Sequence, residues 1–130
     1  MRASIAAAII FALLSGFATT ASAVDISGRW SGFGKATFAS TGKSENFRCR
    51  VTYTRQSAKV YAVNAVCANP STRVIQTGMI LQVRGNTFVG DFHNAQFDVR
   101  GRVRVTVSGN RQSVTMSSSE GRGVLTLSRR

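Results

Sequence analysis

The segment FDVRGRVRVTVSG, Phe97 to Gly109, sets arginine at positions 100, 102 and 104 and valine on most positions between. On a helix, residues two apart point to nearly opposite sides, whereas on a strand they share a face. The segment is therefore predicted to be a strand with one side for a core and one for water. The same period of two runs through most of the chain beyond residue 25. Eight segments carry it, at roughly 26–38, 45–54, 59–68, 72–83, 86–92, 96–107, 111–118 and 122–128. Turn-forming stretches separate them, among them STGK, RQSA, ANPS, RGN, FHN, SGN and SEGR, and the single proline, Pro70, falls in one. Connections this short join neighbours as antiparallel hairpins. The expectation is an all-β, eight-stranded antiparallel up-and-down barrel. A two-sheet sandwich is the other architecture that manages sheet edges. Closure is preferred because neither terminal strand has a spare element to cover it.

Parity assigns the two faces. The inward set runs Trp30, Gly32, Gly34, Ala36 and Phe38, then Phe47, Cys49, Val51 and Tyr53, then Tyr61, Val63, Ala65 and Cys67. The fourth segment gives Ile75, Thr77, Met79, Leu81 and Val83. Later segments give Phe88, Gly90 and Phe92, alternate residues from Phe97 to Val107, Val114 and Met116, and Leu125 and Leu127. The outward set includes Arg48 and Arg50 on the second segment and Arg100, Arg102 and Arg104 on the sixth, spaced about 7 Å apart along their strands.

Residues 1–23 read as a cleaved signal peptide. Met1-Arg2 is positive, Ile5 to Leu14 is apolar, and Ala21-Ser22-Ala23 offers small residues before a cut. The apolar run is too short for a bilayer span, which needs about 20 residues. No later stretch would anchor the chain, so a free periplasmic or secreted domain of residues 24–130 is expected. Cys49 and Cys67 are the only cysteines. In an oxidising compartment an isolated pair reads as a disulfide. A three-residue turn at Gln56-Ser57-Ala58 would set the cysteines on a diagonal, and a wider loop would set them opposite.

Gly28-Arg29-Trp30 opens the first strand. A Gly-x-Trp in that place, followed by eight short strands, resembles the calycin superfamily of lipocalins and avidins. The resemblance implies that the tryptophan packs at the closed end of a barrel, near a basic residue of the last strand, here Arg129 or Arg130. The length, the Gly-x-Trp and the cysteine pair are also similar to small periplasmic inhibitors of secreted metalloproteases. In that family a segment ahead of the barrel enters the protease cleft, which would make Val24-Asp25-Ile26-Ser27 the inhibitory tail.

Catalysis is not expected. The acids Asp25, Glu45, Asp91, Asp98 and Glu120 form no inward pair of the kind a glycosidase needs. Asp91 and the lone His93 share a strand face but have no positioned nucleophile. One histidine and two bridged cysteines supply too few ligands for zinc or copper, and GFGKAT lacks the spacing of a phosphate loop; no cofactor is expected.

Binding is the remaining class. Glycines at 32, 34, 90 and 101 interrupt a bulky interior, which leaves room for a small apolar or neutral ligand or serves packing alone. Without Arg2, sixteen cations face five acids, and thirteen of the sixteen are arginine. This charge suits anionic lipid, lipopolysaccharide or acidic polysaccharide. Export argues against nucleic acid as the partner. Docking on another exported protein is the alternative.

Overall fold

In the computed structural model, which describes Gly16 and residues 24–130, eight strands form within three residues of the expected positions. They are β1 (Gly28–Phe38), β2 (Ser44–Arg55), β3 (Val60–Ala68), β4 (Arg73–Arg84), β5 (Thr87–Asn94), β6 (Val99–Ser108), β7 (Arg111–Ser118) and β8 (Gly121–Arg129). The leader expected at residues 1–23 lies outside the described residues apart from Gly16. Each strand pairs antiparallel with the next, and β1 pairs with β8, which closes the barrel. Among the described residues every strand thus has a paired neighbour on both sides, and the barrel has no open sheet edge.

Closure bends the strands strongly, and glycine makes that possible where neighbouring backbones converge. A Cβ at Gly32 would lie 1.9 Å from the Thr126 carbonyl oxygen, and one at Gly90 would lie 1.9 Å from that of Met79. These glycines therefore admit a neighbouring backbone. They do not widen the interior for a ligand, the purpose the sequence left open for them.

The core gathers toward one end. Ile26, Trp30, Tyr61, Phe88 and Leu127 are completely buried there, and Tyr61 meets Phe88 edge to face at 5.5 Å. The other strands keep the expected parity, but β4 does not. Its buried and half-buried residues are Val74, Gln76, Gly78, Ile80 and Gln82, while Ile75, Thr77, Met79, Leu81 and Val83 face out. The hairpin turn explains the reversal. Asn69 Oδ1 accepts hydrogen bonds from the backbone N–H of Ser71 and of Thr72, both at 2.9 Å. The resulting loop sets Cys67 opposite Val74. Residues opposite each other in a ladder share a face, so Val74 must point inward and Ile75 outward. Turn chemistry outweighed hydrophobic parity.

Two smaller corrections concern the barrel's other end. Phe97 lies in the turn before β6 and not on an inward strand position, and Phe38 ends β1 at the surface; both aromatics are exposed.

Candidate functional site

The two ends of the barrel differ in kind. At the first, Val24–Ser27 lies across the opening as a plug. The Val24 N–H donates to the Gly85 carbonyl at 3.1 Å, and Gln82 Nε2 donates to the Val24 carbonyl at 3.2 Å. Ile26 is buried, and its carbonyl accepts from Trp30 Nε1 at 3.0 Å. Arg129 covers the indole from outside. Its guanidinium carbon lies 4.5 Å from the ring centre, and its two nitrogens donate to the Ser27 and Asp25 carbonyls at 3.0 and 2.8 Å. Gly28, with φ of 115°, turns the chain from plug to strand, a conformation that L side chains rarely adopt.

Asp25 completes this end. The Ser27 hydroxyl and backbone N–H bond to its carboxylate, and with the nearby Arg55 guanidinium they hold it below the usual carboxylate range despite some desolvation. Within the same end the Tyr53 hydroxyl donates to Gln112 Oε1, and burial pushes its phenol well above the ordinary tyrosine value. This end is sealed, and most of its polar groups bind one another, while Gln112 Nε2 is buried without a partner.

The opposite end is open. A cavity of about 440 Å³ enters between the loops that follow β1, β3, β5 and β7. Its wall is largely apolar: Phe47, Val74, Phe92, Val99, Met116 and Leu125, with the Cys49–Cys67 disulfide on one side. Cys49 and Cys67 stand directly opposite each other, Cα atoms 4.1 Å apart, which settles the hairpin register the sequence left open. Phe38 and Phe97 flank the entrance, with Lys35, Glu120 and Arg122 around it.

Polar residues interrupt the apolar wall, among them Thr72, Gln76, Asn94 and Ser118. Gln76 lines the cavity, and its Oε1 is buried without a hydrogen-bond partner. A buried orphan acceptor is destabilising by about 1–3 kcal/mol, so it marks a place where a donor belongs. Sequence parity hid this residue because it put Gln76 on the outside of β4; the Asn69 turn was the signal that would have exposed it. Asn94 is also buried at this end, but its Oδ1 is occupied by the Phe97 N–H at 3.1 Å.

The outward arginines are where parity placed them. Arg48, Arg50, Arg100, Arg102 and Arg104 are all exposed. Arg48 stacks over the exposed Phe33 at 5.3 Å, and Arg102 reaches Asp91 at 3.4 Å. Asp91 and His93 each turn to a different partner: His93 Nε2 lies 3.6 Å from Asp98 Oδ1, past hydrogen-bonding distance.

Solved structures share this architecture at low sequence identity. A redesigned β-barrel is similar over 80% of this chain and 90% of its own, at 15% identity and a TM-score of 0.64. The redesigned barrel mFAP1 bound to DFHBI is similar over 80% of this chain and 94% of its own, at 11% identity and a TM-score of 0.63. Rv2717c from M. tuberculosis is similar over 80% of this chain and 92% of its own, at 9% identity and a TM-score of 0.52. At these identities the likeness is one of fold. No protein-family model and no curated protein sequence matches the chain.

Proposed function

We propose that this chain is a non-catalytic exported barrel that binds a small, mostly apolar molecule through its open end. The observation that carries this reading is the largely apolar cavity at the open end, with Gln76 among its lining residues. A volume of about 440 Å³ falls within the range of small-molecule sites. An apolar wall supplies the affinity, and the few polar residues in it, such as Thr72, Gln76 and Ser118, supply orientation. The ligand chemistry that fits is a compact, mostly apolar body. The mFAP1 barrel with DFHBI supports the reading in one respect: a barrel of this architecture has room for a small molecule. The disulfide agrees with an oxidising compartment outside the cytoplasm.

Titration with a neutral, environment-sensitive dye such as Nile red tests this directly. Saturable one-to-one binding is expected, weakened about tenfold or more by Met116→Trp, which fills the cavity. Equal dye binding by this variant, at an unchanged melting temperature, would remove the cavity from consideration. Native mass spectrometry of protein purified from its own source would then weigh the natural ligand.

The exposed arginines support a second reading, adherence to an anionic envelope surface. Such binding weakens steeply with salt. Inhibition of a metalloprotease through Val24–Ser27 is less well supported, because Ile26 and the Val24 and Ser27 backbone are already engaged in closing the barrel.

A further inference from the structure

The reversed register of β4 leaves a row of large apolar side chains on the outside of the barrel. Ile75, Met79, Leu81 and Val83 are each between 42 and 49% exposed. Half-buried Val66 stands beside Ile75 on β3, and half-buried Val89 stands beside Leu81 on β5, so the row widens into a patch. Contiguous apolar patches on a protein surface mark interaction sites.

Charge around the patch indicates what covers it. Across the ladder, Ile75 is followed by Val66 and then Arg50; Leu81 is followed by Val89 and then Arg104. Exposed Arg73 and Arg84 close the row at its two ends. The one acid beside the row, Asp91, is taken up by Arg102 at 3.4 Å. His93, two residues farther along β5, faces Asp98.

We propose that this face docks on an anionic phospholipid bilayer, with the β4 row entering the interfacial layer and the surrounding arginines binding lipid phosphates. The inference rests on the arginine reading above and adds to it a lipid-specific, apolar contact. Barrel curvature gives the two groups different depths. Strands β2 and β6 each lie two positions from β4, a quarter turn of an eight-stranded barrel. With a radius of roughly 8 Å from strand spacing and tilt, their arginines leave the backbone about that far behind the β4 apex. Their flexible stems reach forward to the headgroups while the apex sits about 5–10 Å deep, where amphipathic surfaces settle. A second copy of this chain fits less well, because joining two such faces would bring arginines against arginines.

The test compares wild type with the triple variant Ile75→Thr, Met79→Thr, Leu81→Thr, whose β-branched replacements suit an exposed strand. Binding is measured to vesicles of phosphatidylglycerol and phosphatidylcholine and, separately, to heparin as a lipid-free polyanion. Wild type should bind both, and at about 0.5 M salt, where the screening length falls to a few ångströms, it should leave heparin but keep part of its vesicle binding. The triple variant should lose vesicle affinity by about tenfold or more, with heparin affinity and melting temperature unchanged. Should the triple variant fold poorly, the pair Met79→Gln and Leu81→Gln carries the same comparison. Equal vesicle binding by wild type and variant overturns the inference and leaves the arginine reading standing. Absence of binding to both vesicles and heparin overturns the two together. A wild-type dimer that the triple variant dissolves would reassign the row to self-association.

Discussion

Arg129, the last residue of β8, lies over the indole of Trp30, the third residue of β1, with 4.5 Å between its guanidinium carbon and the ring centre. The same guanidinium holds the carbonyls of Asp25 and Ser27. One side chain therefore fastens the last strand, the first strand and the plug. Arg129→Leu should keep the apolar stem but lose the cation–π contact and two charge-assisted hydrogen bonds, together about 2 kcal/mol. For a domain of this size that lowers the melting temperature by roughly 10 °C. Arg129→Lys should recover only part, since an ammonium cannot both stack and bond in two directions. Thermal melts by circular dichroism check both.

Opening the disulfide is expected to act on stability and on the mouth together. Cys49 and Cys67 are 18 residues apart, and linking them constrains the unfolded chain by roughly 3 kcal/mol. The pair also forms part of the cavity wall. A Cys49→Ala, Cys67→Ala double variant should be less stable by that amount and bind the apolar dye more weakly even where it remains folded. Unchanged dye binding in the folded variant would show that this wall does not touch the ligand.

A pair of glycines tests how the barrel closes. Gly90→Ala would put a methyl group 1.9 Å from the Met79 carbonyl oxygen, on backbone that cannot yield without opening the β4–β5 ladder. A destabilisation of about 3 kcal/mol or more is expected. Gly85→Ala meets nothing within 4 Å and should be near neutral. Denaturant midpoints of the two variants make the comparison.

How much of this was legible in the sequence depends on which signal set each position. Strand number, order and closure followed from alternation and short turns, and the valine and arginine parity of β6 held residue by residue. On β4 hydrophobicity pointed the wrong way, because Ile75, Thr77, Met79, Leu81 and Val83 are together more apolar than Val74, Gln76, Gly78, Ile80 and Gln82. Local hydrogen bonding chose instead: the Asn69 turn at one end, and at the other Gln82, whose amide nitrogen bonds the Val24 and Gly85 carbonyls. The place of Gln76 in the cavity wall and the exposed apolar row both descend from that choice. They stayed hidden because a side-chain amide's role in a turn depends on three-dimensional partners that periodicity does not carry.

Alkaline pH should expose the buried phenols. Burial raises Tyr53, partly offset by its bond to Gln112, and burial followed by the Asp25 carboxylate raises Tyr61. Both pKa values stand above the unfolded value near 10. The stability this contributes is complete below pH 10 and declines as pH climbs from there toward the folded values. Tyrosinate absorbance near 295 nm should stay flat through the ordinary range and then rise together with loss of the folded circular dichroism signal. Titration of either tyrosine near pH 10 in the folded protein would contradict its burial.

The pairing of β1 with β8 also limits how other molecules recognise this protein. Peptides and aggregating chains commonly recruit an open sheet by adding a strand of their own, reading backbone and not sequence. A ring without ends refuses that generic invitation. Whatever associates with this protein must come to its side chains, so the specificity of every encounter is written in which residues the eight staves turn outward and which they show at the mouth.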